Sequence, residues 1–292
     1  MTAFIYYISL PFIYLVSYSP SWILYGVSDF LFFVIYRIVG YRREVVFQNL
    51  SNSFPEKDAI QLKQIEKKYY RYLCDLLVES IKTITMSEGY VRKRLTFHST
   101  EKVNALYEEG KSIVVVMGHF GNWELAGPCF SLNCKHQLNV VYKPLSNPYF
   151  ERLFAGSRTK FGTKIIPVNN TLRAMAANRK SLTATALIAD QTPSDTKNGF
   201  WLNFLHQDTL VYTGPEKIGK MFDSPIVYMH VDRVKRGYYE ITPTILFAQP
   251  KKTEEEEITR AFFQKLENEI IKKPETWLWS HKRWKKKREV KA

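Results

Sequence analysis

The residues of this chain whose types and spacing best suit catalysis are a histidine and a glutamate that follow a run of valines. The valines at 114–116 predict a short buried strand, and His119 lies where that strand would pass into a loop. Glu124 comes five residues later. Proteins built from alternating strands and helices carry their chemistry at the edge of the sheet. A histidine there, with a carboxylate close by, could act as a general base with its orienting acid.

The five-residue interval limits how the two side chains can meet. Within one continuous helix it corresponds to a rotation of about 140° at about 3.6 residues per turn, so the pair would not share a face. We therefore expect His119 to precede a helix and Glu124 to lie in its first turn, with Gly118 and Gly121 supplying backbone freedom. The pattern alone leaves a second interpretation open, in which His119 caps the helix and Glu124 faces solvent.

Composition narrows the classes of partner. The 292 residues include 42 Lys and Arg against 28 Asp and Glu, which gives a net charge of +14. Such an excess predicts an acidic partner, namely nucleic acid, anionic lipid headgroups or an acidic carrier protein. The cysteines Cys74, Cys129 and Cys134 form no C-x-x-C pair, which favours a reducing compartment over a disulfide framework or structural zinc. No His, Cys or acidic cluster has metal-ligand spacing, so we expect no metal.

The first 39 residues form an unusually apolar segment. No charged side chain precedes Asp29, and the segment lacks the basic start and the cleavage site of a signal peptide. It is long enough for one span of about 20 residues, but Pro11 and Pro20 fit two shorter helices at least as well, one of them interfacial. We expect residues 1–39 to be a membrane anchor, and the arginines that follow place the rest of the chain on the cytoplasmic side. A buried, soluble helical hairpin is the alternative.

The remaining pattern predicts helices followed by alternating strands and helices. Residues 44–94 have helical spacing with a break near Pro55. The later alternation is typical of a mostly parallel sheet with crossover helices, so we expect an α/β fold in which residues 40–292 form one domain with a basic C-terminal tail. The predicted strands are 112–117, 138–142, 163–168, 184–189, 225–234 and 238–247; the predicted helices are 122–131, 147–161, 171–180, 213–223 and one that begins with a capping box at Thr253 and Glu256 and ends near Lys272.

Several segments resemble, in order, those of one known family. HFGNWE at 119–124 matches the H-x4-D/E motif of the glycerophospholipid acyltransferases. Within that group the chain resembles the bacterial lipid A late acyltransferases, also called lauroyl/myristoyl acyltransferases. The segments that carry this resemblance are GYRREVVFQNLSNSFPE (40–56), VYKPLSNPYFERLFAGSR (141–158), LIADQTPSD (187–195), GFWLNFLHQDTLVYTGP (199–215) and PETWLWSHKRWK (274–285). Because the likeness runs through nearly the whole chain, it is more specific than the motif alone.

The resemblance implies a reaction and its partners. Members of the family move a fatty acyl chain from an acyl carrier protein or coenzyme A thioester to a hydroxyl of a lipid acceptor, here a lipid A precursor. No further cofactor is implied, and the anionic acceptor and the membrane lipids would account for the basic charge. His119 would be the general base and Glu124 its orienting acid, although the family often has Asp at the latter position. The bacterial inner membrane, on its cytoplasmic face, is the implied location.

Three further residues are candidates for substrate binding. Arg158 ends a predicted helix and, with backbone N–H groups after Gly118, could stabilise an oxyanion; a solvated surface charge is the alternative. Asp190 ends a predicted strand at the functional edge of the sheet, or else caps the following loop. Lys143 stands where the family commonly has arginine, which keeps the charge but loses the bidentate fork. The aromatic and basic run at 277–288, His281 included, suits a lipid headgroup region.

Two other functions compete with this interpretation. The first is an acyltransferase for a lysophospholipid or an aminolipid such as an ornithine lipid, because acceptor choice depends on pocket shape. The second is a non-catalytic membrane protein that binds lipid on the same fold, which the presence of both His119 and Glu124 disfavours. Nucleic-acid binding would explain the charge but not the apolar start, and no nucleic-acid-binding motif is visible in the sequence.

Overall fold

The central sheet has seven strands and is mostly parallel. The computed structural model describes residues 2–193 and 199–288. In these residues the strands are β1 (Leu95–Phe97), β2 (Ile113–Met117), β3 (Gln137–Tyr142), β4 (Lys164–Pro167), β5 (Thr183–Ile188), β6 (Gly199–Phe204), β7 (Gln207–Tyr212), β8 (Ile226–Lys235) and β9 (Tyr238–Phe247). The sheet order is β1-β9-β8-β2-β5-β3-β4, with only β8 and β9 antiparallel; β6 and β7 form a separate hairpin. The predicted α/β class is confirmed.

Helices cover both faces of this sheet. They are α1 (Thr2–Tyr18), α2 (Ser21–Phe32), α3 (Arg43–Ser53), α4 (Ala59–Lys82), α5 (Glu88–Arg94), α6 (Thr100–Glu108), α7 (Trp123–Asn133), α8 (Pro148–Thr159), α9 (Thr171–Ala177), α10 (Gly214–Phe222) and α11 (Glu257–Lys272). A π-helical segment, Phe33–Val39, continues α2. Most of the elements predicted beyond residue 40 therefore exist within a few residues of their expected bounds. The composition of residues 191–199 predicts a loop, and this segment and the end of the basic tail lie partly outside the described residues.

The valine run forms the middle of the core. Every residue of β2 is buried, and side chains alternate between the two faces of the sheet. Val114 and Val116 pack in the cluster that α3, α4, α10 and α11 complete, whereas Ile113, Val115 and Met117 pack with α5, α6 and α7. The loop that follows β2 therefore starts from a firmly held strand.

Two helix starts show what a capping prediction depends on. The Asp58 carboxylate accepts from the N–H groups of Ile60 and Gln61, both at 2.8 Å, and the Gln61 side chain accepts from Asp58 N–H. This capping box begins α4. The box expected at Thr253 and Glu256 is wrong, because the Thr253 hydroxyl instead donates to the Pro250 carbonyl at 2.7 Å and closes a short 3₁₀ turn. Helix α11 begins four residues later, at Glu257.

The C-terminal segment is not an interfacial tail. Trp277, Trp279 and Trp284 are buried in the core cluster of α4 and α11. The Trp279 indole donates to the Pro274 carbonyl at 2.6 Å, and the buried Arg283 donates to the Leu210 carbonyl at 2.8 Å. The expectation that this aromatic run lies among lipid headgroups is therefore wrong, since its aromatic side chains face inward. Only its lysines and Arg288 lie towards solvent.

The apolar N-terminus forms two helices that contact the domain. Among the described residues, one helix, Ser21–Val39, is long and apolar enough to cross a membrane, and α1 is a shorter apolar helix. Both α1 and α2 pack against α4. Most of their large apolar side chains are nevertheless exposed, so packing against the domain does not account for the apolar composition of these helices.

Candidate active site

The carboxyl ends of β2 and β5 bring the two central residues of the site together. These strands are parallel neighbours, with Met117 opposite Ile188. His119 comes two residues after the end of β2, and Asp190 comes two residues after the end of β5. Side chains that follow adjacent parallel strands meet at the same edge of the sheet. The site therefore lies at the edge where the sequence predicted it.

The partner of the His119 imidazole is Asp190. His119 Nδ1 lies 2.6 Å from Asp190 Oδ1, and the His119 backbone N–H donates to Asp190 Oδ2 at 2.8 Å. The indole N–H of Trp277 donates to the same Oδ2, also at 2.8 Å. The Asp190 side chain is only 2% exposed, while that of His119 is 17% exposed. The acid is thus fixed in the interior, and the imidazole reaches the surface of the site.

Asp190 is an ionised acceptor despite its burial. Burial by itself raises the pKa of this carboxyl. The charge of His119 and the hydrogen bonds from His119 and Trp277 lower the pKa by more than burial raises it, and the result is a pKa of about 2. A carboxylate at Nδ1 favours the tautomer in which Nδ1 carries the proton, so the lone pair lies on Nε2. The Gln191 amide nitrogen is 3.2 Å from Nε2, as a donor to that lone pair would be. In this arrangement Nδ1 faces the carboxylate, and Nε2 is the ring nitrogen left for another partner.

Glu124 has a different partner from the one expected. It lies in the first turn of α7, as predicted, but its two oxygens accept from Arg158, with Oε1 2.8 Å from Nη2 and Oε2 3.1 Å from Nε. The expectation that Glu124 orients His119 is corrected, because Asp190 occupies Nδ1. The bidentate pair is partly exposed, and the Arg158 guanidinium also lies over the Tyr142 ring. Arg158 is thus held at the site and is not a free surface charge.

The turn between β2 and α7 needs its two glycines. A Cβ on Gly118 would lie 2.7 Å from a Leu266 methyl and 3.3 Å from Asp190 Oδ2, so it would crowd the carboxylate. Gly121 has φ +60°, and a Cβ there would lie 2.0 Å from the Val231 carbonyl oxygen. These glycines let His119 leave the strand and face Asp190 before α7 begins.

Helix α4 supports this turn from below. The Tyr72 hydroxyl donates to the Gly121 carbonyl, and the Asn122 amide donates to Glu79 Oε2 at 2.7 Å. The Asn122 side-chain oxygen caps α7 by accepting from Leu125 N–H at 3.1 Å, the helix-start role expected for it. The Trp123 ring packs edge-on against His119 at 5.0 Å between centroids. The imidazole is thus held by a packed aromatic ring as well as by hydrogen bonds.

Lys143 and the backbone N–H groups after Gly118 are the remaining groups that the sequence predicts for the site. Lys143 is exposed and directly follows β3, so topology places it at the catalytic edge without a described contact to the dyad. Of the backbone N–H groups after Gly118 that are expected as oxyanion donors, that of His119 already donates to Asp190 and that of Gly121 to the Thr276 carbonyl. The described residues hold no group of three or more His, Cys, Asp and Glu that could bind a metal ion.

Sequence reasoning missed Trp277 and Gln191. Trp277 lies 158 positions after His119 but is joined to this turn, since Phe120 and Trp277 form a β-bridge and Leu278 N–H donates to the His119 carbonyl. No local pattern predicts such a contact. Gln191 had a signal, because it follows Asp190 in the block that resembles the acyltransferases. His281 also belongs near this site, where its Nε2 accepts from Thr192 N–H at 3.3 Å, and burial lowers its pKa to about 4.

Comparison with known proteins identifies the family of this chain. The family of bacterial lipid A biosynthesis acyltransferases matches residues 1–286. A lipid A biosynthesis palmitoleoyltransferase of Escherichia coli (strain K12) is 24% identical over 249 residues, which is 84% of this chain and 79% of that protein. A lipid A biosynthesis acyltransferase of Haemophilus influenzae is 21% identical over 233 residues, 79% of this chain and 72% of the relative. The family predicted from six sequence segments is confirmed: the chain belongs to the bacterial lipid A biosynthesis acyltransferases and is an acyltransferase.

Proposed function

We propose that this protein transfers a fatty acyl chain from a thioester, on acyl carrier protein or coenzyme A, to a hydroxyl of a lipid A precursor. The observation that carries the proposal is the His119–Asp190 pair, in which the buried carboxylate holds Nδ1 and leaves Nε2 of the partly exposed imidazole for the substrate. The names of the relatives supply the acceptor class. The reaction takes place at the cytoplasmic face of the bacterial inner membrane, with residues 1–39 as the membrane-attached part of the chain.

The proposed chemistry needs one base and no covalent enzyme intermediate. The acceptor hydroxyl replaces the Gln191 amide at His119 Nε2, which takes its proton as the oxygen attacks the thioester carbonyl. A C–O bond forms, the C–S bond breaks, and the imidazolium returns the proton to the departing thiolate. Asp190 stabilises the imidazolium while it exists, and its buried, hydrogen-bonded position keeps the ring oriented.

Charge at the site suits an anionic acceptor and an oxyanion. Arg158 is paired with Glu124, five residues after His119, and its side chain is 28% exposed; Lys143 is exposed at the same edge of the sheet. We assign Arg158, held by Glu124, to the developing oxyanion or to a phosphate of the acceptor. The first turn of α7 is the other donor, since the first N–H groups of a helix have no partner within it.

A pair of measurements tests the proposal. His119→Ala should fold normally and lose transfer of acyl chains to a purified lipid A precursor by about three orders of magnitude or more, because the base is absent. Near-normal turnover in this variant would exclude His119 as the base. Mass spectrometry of lipids from cells that lack the protein identifies the acceptor: loss of one acyl chain from lipid A supports the proposal. Intact lipid A with altered phospholipids or aminolipids would assign the enzyme to another acceptor.

A further inference from the structure

Helix α2 runs along α4 rather than away from the domain. Contacts between the two helices follow an antiparallel order over three turns. The pairs are Tyr25 hydroxyl to Glu79 Oε1 (2.8 Å), Ser28 hydroxyl to Asp75 Oδ1 (2.6 Å), the Phe32 ring beneath Arg71 (5.0 Å), and the Tyr36 ring against Tyr70 (5.1 Å). The segment long enough to cross a bilayer is therefore joined along its length to a helix of the catalytic domain.

The side of α2 that meets the domain is ionic. Asp29 Oδ1 lies 2.7 Å from Arg236 Nη2, and the same guanidinium contacts Asp75, which also accepts from Arg233. If α2 crossed the bilayer, α4 and these charges would have to enter the hydrocarbon core with it. Burial in the hydrocarbon core is unfavourable for charged groups, and also for the unpaired backbone groups of a β-hairpin such as β8–β9, whose turn carries Arg236. The packing of α2 is thus incompatible with a simple span.

Helix α1 is held against the domain near both of its ends. Near its start, the Tyr6 ring stacks on Tyr149 of α8 at 5.4 Å. At its end, the Ser17 carbonyl accepts from Lys82 Nζ at 2.7 Å, and the Ser17 hydroxyl lies 2.7 Å from that of Thr85. The axis of α1 therefore follows the surface of the domain over about 16 Å, at about 1.5 Å per residue.

The outward side of both helices is apolar, which is the reverse of a soluble surface helix. The exposed large apolar residues are Phe4, Ile5, Tyr7, Ile8, Phe12, Tyr14, Leu15 and Tyr18 on α1, and Trp22, Ile23, Phe30, Phe33, Ile38 and Val39 on α2 and its continuation. We call this set the outer face. A continuous apolar surface on two helices marks a membrane or protein contact. Its aromatic residues suit the boundary between headgroups and acyl chains.

A row of cations borders the outer face. Lys63, Lys67 and Arg71 are exposed at four-residue intervals on α4, so they share one side of that helix, and Arg71 lies over Phe32. Among the described residues, none of the three forms an ion pair. Cations beside an apolar face attract anionic headgroups. This charge complementarity favours a lipid surface over a second protein as the occupant.

Helix α2 contacts the domain at the edge of the sheet that also carries His119. Strand β8 is parallel to β2, and its carboxyl end leads into the turn that carries Arg236, the partner of Asp29. His119 follows the carboxyl end of β2. We infer that α1 and α2 lie in the plane of one leaflet, with the outer face inserted to the level of the upper acyl chains. This inference rests on the proposed membrane attachment, and it places the dyad where a lipid hydroxyl can enter without leaving the bilayer.

Depth measurements at two positions test this arrangement. Trp22 and Phe33 are both exposed on the outer face, eleven residues apart. The full chain is reconstituted in vesicles of phosphatidylethanolamine and phosphatidylglycerol whose acyl chains carry bromine near the glycerol end or near the methyl end. The signal of Trp22 is the difference between wild type and Trp22→Phe, and Phe33→Trp is added to the Trp22→Phe protein. Met221→Trp in the same background is the control, because Met221 is exposed near the amino end of β8, about 30 Å from the turn at Arg236.

Each outcome decides the inference. We expect shallow bromines to quench positions 22 and 33 equally, deep bromines to quench neither, and position 221 to be unaffected. A helix that spans would place positions 22 and 33 at depths that differ by about 16 Å, at about 1.5 Å per residue, and this result would overturn the inference. Absence of quenching at both positions would also overturn it. Acyl transfer by wild type is assayed in the same vesicles, so the proposed reaction can stand or fail independently.

Discussion

At the scale of single residues, the site separates two acids with different partners. Asp190 receives three hydrogen bonds, two from His119 and one from Trp277, and is buried. Glu124 is partly exposed and holds Arg158. A sequence motif that joins a histidine to an acid five residues later therefore does not mean that the two touch. Here the motif places His119 on one side of a helix start and the Glu124–Arg158 pair on the other.

Asp190→Asn should lower kcat by about 10³–10⁴-fold while the protein keeps its fold. The amide can no longer stabilise an imidazolium, and it favours the wrong tautomer of His119. Steady-state kinetics on the lipid acceptor measure the change in kcat. KM should change little, because the Asp190 side chain is buried and does not contact the substrate. Trp277→Phe, which removes one of three donors to Asp190, should give a smaller loss of about 10–100-fold. Equal kcat in wild type and Asp190→Asn would contradict this role for Asp190.

Glu124 and Arg158 should behave as one functional unit. Because Glu124 holds the guanidinium through two hydrogen bonds, Glu124→Gln releases Arg158, and Arg158→Gln removes the group that Glu124 positions. We expect the effects on kcat/KM in the double variant to be much less than additive, with a coupling of about 1–3 kcal/mol. A matched cycle between Glu124→Gln and Asp190→Asn should show weaker coupling. Strong coupling only between Glu124→Gln and Asp190→Asn would indicate that Glu124 acts through His119 and not through Arg158.

At the scale of elements, α4 connects the N-terminal helices, for which we propose a membrane contact, to the turn that carries His119. Its Glu79 is buried and accepts from Tyr25 of α2, Asn122 at the start of α7 and Tyr239 of β9. Burial raises the pKa of this carboxyl, so the charged form depends on those donors. One side chain therefore ties the position of α2 to that of the cap that follows His119. This contact gives the membrane surface a fixed relation to the site.

Local patterns predicted the elements well and the long-range contacts poorly. The β2 run, the break near Pro55 and the strand-helix alternation depend on spacing within about 20 residues, which sequence displays directly. The position of Asp190 beside His119 needed only parallel pairing of β2 and β5. The burial of Trp277 and Trp279 could not be deduced, because a basic, aromatic run has the same composition at a lipid interface and over a core. What decides between them is the core cluster of α4 and α11 in which these side chains pack, and no local pattern describes that cluster.

At the scale of the whole molecule, residues 1–39 combine the lipid contact that we infer with a structural layer of the domain. Their inner side covers Asp75 and Glu79, while their outer face is apolar. A separate anchor could be removed without loss of domain stability. In this protein, deletion would expose Asp75, Glu79 and Arg236, which contact α2, and it would remove the buried Leu24.

A chain that begins at residue 40 should therefore be less stable as well as detached from membranes. Truncation removes the hydrogen bonds that Tyr25 and Ser28 donate to the buried carboxylates of Glu79 and Asp75. A hydrogen bond to a charged group contributes about 1.5–3 kcal/mol, so the loss of both should lower Tm by roughly 5–15 °C for a domain of this size. Thermal unfolding in mild detergent, followed by circular dichroism, measures the change. The full-length double variant Trp22→Ser, Phe30→Ser is the control: it alters only the outer face, so it should bind vesicles weakly yet unfold at nearly the wild-type temperature. Equal Tm for the truncated and full-length chains would show that residues 1–39 serve only for attachment, because their contacts with Asp75, Glu79 and Arg236 would then add nothing to the stability of the fold.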